Sequence, residues 1–419
     1  MCDTFLALSS ATRDRQTILA KNSDREPDEA QAVVHIPRKQ HHDATVRCTF
    51  IDVPQVPETY SCILSKPFQM WGAEMGVNEF GVAVGNEAVF TKVSHPRRND
   101  GLTGMDMLRL ALERSHTAAH ALEVIIQLLE THGQDACGGY RNKTFFYHNS
   151  FIIADATEGW ILETAGRQWA ARKVQEIGSI SNRLSLSETD RLSAEAKSLA
   201  KQKGWWNGKE PFDFSAAYSD LLYTWLGRGS ARQSCTREAC EAQRGQLTPH
   251  DAMLILQTHN IDDDRFTPRK ANTGSVCMHR TSLLNPSDTT GSMVAVLRAG
   301  QPHTVWLTGT SHPCLSVYVP CFPGFRTLER MKSPGPSPDD SLWWKANQLH
   351  RWISKDYKTR RSAILEERLL LQQSFLDAEQ TLFLHNSTPT AKELEEFSDL
   401  CMARLNATLE KWITGIKVG

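Results

Sequence analysis

A cysteine follows the initiator methionine, in Met1-Cys2-Asp3-Thr4-Phe5. Cysteine is small enough for an aminopeptidase to remove Met1. Cys2 would then carry a thiol and a free α-amine on one residue. An unperturbed thiol titrates near about 8.5 and an α-amine near about 7.7–8.0. The amine can take the thiol proton near neutral pH, directly or through a water, so one residue supplies nucleophile and base. A second element lies a short way along the chain, in Ile18-Leu19-Ala20-Lys21-Asn22-Ser23-Asp24-Arg25. The β-prone runs Asp3–Leu8 and Gln16–Ala20, with polar Ser9–Arg15 between them, predict a hairpin. A hairpin brings its outer ends together, so Cys2 is expected beside Lys21, Asn22 and Asp24. Lys21 would favour thiolate there, and Asp24 could hold the α-ammonium.

Two further segments can supply donors for an oxyanion. Asn78-Glu79-Phe80-Gly81 reads as a turn, with Asn86 along or at the end of the next strand, and Asn182 closes Ile180-Ser181-Asn182 at another strand end. One side-chain amide aimed at a developing oxyanion is worth roughly 3–4 kcal/mol in acyl transfer. Other polar clusters carry no such pattern. His41-His42 reads as loop, Asp262-Asp263-Asp264 as a solvated acidic turn, and Glu74 and Glu79 have no spacing that marks an acid/base pair. Trp205-Trp206 and Trp343-Trp344 read as packing anchors.

The elements that must position these residues are mixed. Strands are expected at Ala32–Ile36, Val46–Ile51, Tyr60–Ser65 and Gly81–Val89. Helices follow at Met105–Arg114, capped by Thr103, and at Ala118–His132, capped by Thr117 and stopped by Gly133. Strands return at Phe151–Ala154, Trp160–Thr164, Trp169–Val174 and Ile177–Ser181. Residues 187–245 read as helical and polar, and Pro249 starts a helix that runs to near His259. Strands at Ser275–His279, Met293–Leu297 and Thr304–Leu307 follow. Blocks of strands and paired helices, without strict alternation, predict an α+β fold. The Pro-rich run 332–339 marks a boundary between a domain of residues 1–331 and a C-terminal helical extension, 341–419, read as a hairpin of Ser341–His385 and Ala391–Lys417.

The balance of charge excludes some partners. Lys+Arg number 47 and Asp+Glu 48, a net charge of −1, so no general field draws the chain to nucleic acid or an anionic membrane. No run approaches the roughly 20 apolar residues of a membrane span, and the N-terminus lacks the basic and apolar regions of a signal peptide. A cytoplasmic location is expected. None of the ten cysteines falls in a C-x-x-C or Cys/His metal spacing, so apart from Cys2 they read as small core hydrophobes.

The chain resembles the secernin/dipeptidase family of cysteine N-terminal-nucleophile hydrolases. The resemblance rests on Cys2-Asp-Thr-Phe5, Ala20-Lys-Asn-Ser-Asp-Arg25, the run from Trp71 to Ala88, Gly104–Arg114, Trp160–Gly166, Ile180-Ser-Asn182 and Lys203-Gly-Trp-Trp206. It implies a four-layer αββα sandwich and cysteine-type dipeptidase or amidohydrolase activity. A remoter likeness to bile-salt hydrolases and penicillin V acylases makes Cys2 the nucleophile and Asp24 its orienting partner, with Asn86 and Asn182 as oxyanion or amine contacts. It sets Lys21 where those acylases carry Arg, and makes Arg232 the counterpart of their later arginine. The candidate set is thus Cys2, Asp24, Asn86 and Asn182 for catalysis and Lys21, Asn22, Asn78 and Arg232 for substrate binding, with no metal and no cofactor. Many relatives carry extra residues before the cysteine; here Met1 alone must go. The expected substrate is a small peptide or N-acyl amide. A non-catalytic interaction protein linked to exocytosis is the rival reading, and the C-terminal helices are candidates for a homo-oligomer contact.

Overall fold

The computed structural model describes residues 1–220, 228–326, 331–385 and 388–418. The N-terminal hairpin forms: Cys2–Ala7 pairs antiparallel with Thr17–Arg25. The return strand does not stop at Ala20. It runs on through Lys21–Asp24 because Asp288–Leu297 pairs along its other edge, and every residue of it is buried. Polar side chains on it therefore need fixed partners.

Two sheets stack face to face. A six-stranded sheet has the order Ile177–Ser181, Cys2–Ala7, Thr17–Arg25, Asp288–Leu297, Thr304–Leu307, Val319–Cys321. An eight-stranded sheet has the order Arg191–Leu192, Gln168–Lys173, Gly159–Ala165, His148–Ala154, Ala83–Val89, Met75–Asn78, Cys62–Pro67, Gln31–Ile36. Strand alternation sorts their side chains. Leu6, Leu19, Ala83, Ile152, Met293 and Val305 fill the space between the sheets. Phe5, Ile18, Ala20, Val294 and Trp306 face outward onto helices Gly229–Ala242 and Pro249–Leu256 and the C-terminal helices. Leu64, Val84, Phe151 and Leu162 face outward onto Gly104–Arg114 and Ala118–His132. The result is the four-layer α+β sandwich, with both helix pairs built on local signals: Thr103 and Thr248 close capping boxes, and Thr117 caps its helix on His120.

Several elements differ from the sequence reading. Ser275–His279 is not a strand. Its backbone is held by Val276 and Cys277 N–H groups donating to Thr258 O and by Met278 N–H donating to Thr289 Oγ1. The strand expected at Gly81–Val89 starts at Ala83, because Asn78 Oδ1 accepts from Phe80 and Val82 N–H and closes a turn in which Gly81 has φ +77°. Val46–Ile51 is cut to Thr45–Arg47, which pairs with Asp52–Pro54, and the helix from Pro249 ends at Leu256. In 187–245 the helices are Ala196–Gln202, Phe214–Tyr218 and Gly229–Ala242; residues 221–227 of that stretch lie outside the described residues. The C-terminal segment breaks at Asp356 into Leu342–Lys355 and Tyr357–His385, followed by Ala391–Val418. Leu349, Ile353, Phe375, Leu405 and Trp412 share one core with Phe5 and Trp306, so these helices belong to the outer layer of the sandwich. No helix among the described residues is long and apolar enough to cross a membrane.

Candidate active site

The strand register sets Cys2 opposite Ser23 and beside the end of Ile177–Ser181. Alternation then divides the hairpin's polar residues between two faces. Cys2, Thr4, Lys21 and Ser23 share parity with Leu6 and Leu19 and look between the sheets. Asp3, Asn22 and Asp24 share parity with Phe5 and Ala20 and look to the helices. On the inner face Cys2 Sγ lies 3.7 Å from Glu74 Oε2, and Ser23 Oγ donates to the same oxygen at 2.8 Å. Arg25 Nη1 holds the other Glu74 oxygen at 3.0 Å. Lys21 Nζ pairs with Glu87 Oε1 at 3.1 Å with both side chains fully buried, and Thr4 Oγ1 donates to that same oxygen. Asp24 meets the sulfur through its backbone, its N–H donating to Sγ at 3.2 Å.

A second group of contacts surrounds the Cys2 main chain. Cys2 N–H donates to Asn182 Oδ1 at 2.6 Å. Arg232, on the first turn of Gly229–Ala242, donates from Nη2 to Asn182 Oδ1 at 2.9 Å. Its Nη1 donates to Cys2 O at 3.1 Å and to Asp3 Oδ2 at 2.6 Å. Asn182 Nδ2 donates across to Ala88 O of the other sheet at 2.8 Å. The Met1 ammonium donates to Asp24 O at 3.1 Å, and Cys2 is only 5% exposed. A cavity of about 380 Å³ lined by Arg13, Gln16, His250, Arg298 and Phe383 lies at the hairpin's tip, at the far end of the strands from the thiol.

The electrostatics of this arrangement hold the thiol protonated. Burial pushes Cys2 well above its ordinary range; Lys21 and the Met1 ammonium pull it down, while Glu87 and Glu74 push it further up. Lys21 remains an ammonium. Burial works against its charge, but Cys2, Glu87 and Glu74 together raise it above its ordinary value. Burial lifts the Glu87 carboxyl to about 7 against the pull of Lys21 and the Thr4 hydroxyl. Burial likewise lifts Asp24 to about 7; the Met1 ammonium, Arg232 and the Thr289 hydroxyl lower it, and Asp3 raises it.

Residues 1–224, more than half of the chain, match the family model described as peptidase family C69. The chain belongs to peptidase family C69. It is a cysteine hydrolase of the N-terminal-nucleophile type, an enzyme of peptide-type amide bonds. Solved structures similar to this C69 peptidase include the C2A mutant of conjugated bile acid hydrolase from Clostridium perfringens, at 12% identity and TM-score 0.43, covering 72% of this chain and 88% of that one. Penicillin V acylase from Agrobacterium tumefaciens is similar at 13% identity and TM-score 0.41, covering 76% and 86%. A Caenorhabditis elegans ortholog of N-acylethanolamine-hydrolyzing acid amidase is similar at 12% and 0.38, covering 70% and 92%.

In this C69 peptidase the residues singled out from sequence fall into three groups. Cys2, Asn182 and Arg232 come together directly, and Lys21 sits on the thiol's face. Asp24 approaches through its backbone, while its carboxylate turns to the helix side and accepts from Thr289 Oγ1 at 2.6 Å. Three asparagines have other work. Asn22 Nδ2 donates to Leu256 O and Val276 O, stitching the sheet to the helix layer. Asn78 Nδ2 donates to Leu112 O and Ser115 O beside its own turn. Asn86 lies on the face of Val84, towards helix Gly104–Arg114, and its amide donates to Asn149 Oδ1 at 3.1 Å; it makes no hydrogen bond to Cys2. Sequence reasoning set Glu74 near the site without giving it a role, and missed Arg25, Glu87 and Thr289. Glu74, Arg25 and Glu87 sit inside motifs quoted for the family, but only pairing across strands shows that Glu74 reaches the thiol, with Arg25 bound to Glu74 and Glu87 to Lys21.

Proposed function

We propose that this C69 peptidase is activated by loss of Met1 and hydrolyses small peptide-like amides with Cys2 as nucleophile. The observation that carries the reading is the cage around the Cys2 main chain. The nitrogen that would become the α-amine already points at Asn182 Oδ1, and Arg232 braces both that oxygen and Cys2 O. A guanidinium beside the amine disfavours its protonated form, which suits a base. The thiol proton passes to the α-nitrogen and the sulfur attacks the carbonyl carbon. As the tetrahedral adduct collapses, the ammonium returns the proton to the leaving amine, and water then cleaves the thioester to a free acid and the thiol. Asp24 holds the strand geometry at the sulfur, and Lys21 offsets the two carboxylates that oppose a thiolate. With Met1 attached the Cys2 nitrogen is an amide that donates to Asn182 Oδ1 and cannot take the thiol proton, so that form is the inactive precursor. Ten cysteines without a disulfide among the described residues suit a reducing compartment, and we place the enzyme in the cytoplasm on that ground.

The test is intact mass before and after an electrophilic dipeptide analogue, with turnover of dipeptides and N-acyl amino acids. The expected protein lacks Met1, gains one label and loses all turnover in Cys2→Ala. Met1 retained on the purified protein, or equal turnover by Cys2→Ala, overturns the mechanism.

A further inference from the structure

Two of the cysteines that the sequence reads as core hydrophobes do not sit among apolar neighbours alone. His259, Cys277, His279 and Cys314 come from three separate stretches of chain, and their donor atoms all lie within 4.8 Å of one another. His279 Nε2 is 3.3 Å from Cys314 Sγ and 3.7 Å from Cys277 Sγ. Metal–sulfur bonds of about 2.3 Å and metal–nitrogen bonds of about 2.0–2.1 Å at tetrahedral angles put N and S about 3.6 Å apart. The donors are thus already spaced for one ion. The His259 side chain is 2% exposed, and it faces the Cys314 thiol.

The surroundings are those of imidazoles held for ligation. His259 Nδ1 faces Asp263 Oδ1 at 3.6 Å, the carboxylate–histidine arrangement that fixes which nitrogen binds. Phe266 stacks on the His259 ring at 3.5 Å, and His312 stacks on His279 at 4.3 Å. His312 Nε2 is in turn 3.2 Å from Asp288 Oδ1. We propose that His259, Cys277, His279 and Cys314 form a closed structural site for a zinc ion. Two sulfur and two nitrogen donors in a tetrahedral cluster, with no position left for water, select zinc over harder cations. On binding, each thiol gives its proton to solvent. The two thiolates cancel the ion's charge, so the buried site is neutral overall.

The site lies on the helix side of the six-stranded sheet, opposite the face that carries the Cys2 thiol. It clamps the irregular segment 275–279 and the turn Pro313–Leu315 to each other. Val276 O accepts from Asn22, and Met278 N–H donates to the Thr289 hydroxyl that itself donates to Asp24. The ion therefore stabilises the backing of the strand that meets Cys2, and takes no part at the sulfur.

The test measures metal content of the full chain, purified under reducing conditions without chelator, by elemental analysis. About one zinc per chain is expected. Cys314→Ser and His279→Gln should fall below about a tenth of that, while Cys240→Ser, a buried cysteine outside the cluster, keeps it. Cobalt added to metal-stripped wild type should give the absorption of tetrahedral thiolate-bound cobalt, a readout that survives if the variants fail to fold. Absence of zinc together with failure to take up zinc or cobalt overturns the proposal, as does a native Cys277–Cys314 disulfide by peptide mass. None of these readouts depends on turnover, so loss of the proposed activity would leave the zinc result standing.

Discussion

Replacing Lys21 by methionine should damage both the fold and the thiol, in separable ways. Lys21 and Glu87 are 3.1 Å apart and neither side chain is exposed at all. Methionine keeps the apolar stem and removes the charge, leaving a buried carboxylate with only the Thr4 hydroxyl. Breaking one partner of such a pair costs about 3–5 kcal/mol. The carboxylate can escape by taking up a proton, which caps the cost and gives it a pH signature. Glu87 titrates near 7 in the folded wild type against an ordinary value of 4.5. Its folded value is raised, so the stability it contributes is full below about 4.5 and is lost as pH rises through its folded value. Without Lys21 that folded value moves higher still, and the gap between wild type and Lys21→Met should widen by up to about 1.4 kcal/mol per pH unit above 7. Lys21→Met/Glu87→Gln should recover most of the loss. Denaturant midpoints of the three proteins at pH 6, 7 and 8 make the measurement. The thiol is read by alkylation of Met1-free protein, whose rate–pH profile should move to higher pH in Lys21→Met. A loss below about 1 kcal/mol at pH 8, a gap that narrows as pH rises, or a double variant no better than the single would refute the reasoning.

Asn182→Ala removes the acceptor of the α-nitrogen and should lower kcat/KM by about 10²-fold with the circular dichroism spectrum unchanged. Asn86→Ala deprives Asn149 Oδ1 of a donor and should cost about 1–3 kcal/mol of stability; a 10²-fold kinetic loss there would return oxyanion duty to Asn86. Asn22→Ala orphans Leu256 O and Val276 O, and a denaturation midpoint should register about 2–4 kcal/mol. His303 is lowered to about 4 by burial, with Arg298 adding to it. Its folded value is depressed, so its contribution is present above about 6.5 and is lost as pH falls towards 4, by about 3 kcal/mol in all. Acid titration of stability should be shallower by that amount in His303→Gln, and identical curves would remove His303 from the account.

Much of this protein is legible in its sequence, because much of it is local. Cys2 in second place, the N-terminal hairpin and the threonine caps at 103 and 117 each depend on residues a few positions apart. Even the division of the hairpin follows from period two, since Lys21 and Asp24 differ by an odd number of positions and cannot both face the thiol. Tertiary structure alone decides which face meets which layer. It brings Arg232 to Asp3 and Asn182, and Glu74 and Glu87 onto the hairpin's inner face. It also draws His259, Cys277, His279 and Cys314 together from stretches whose spacing carries no metal pattern, and it irons out the strand expected at Ser275–His279. Backbone propensity acts over a turn or a strand, whereas an ion pair or a donor cluster needs only proximity in space. Proximity between distant stretches is set by how the two sheets and their helix layers bury apolar faces, which no short window of sequence contains.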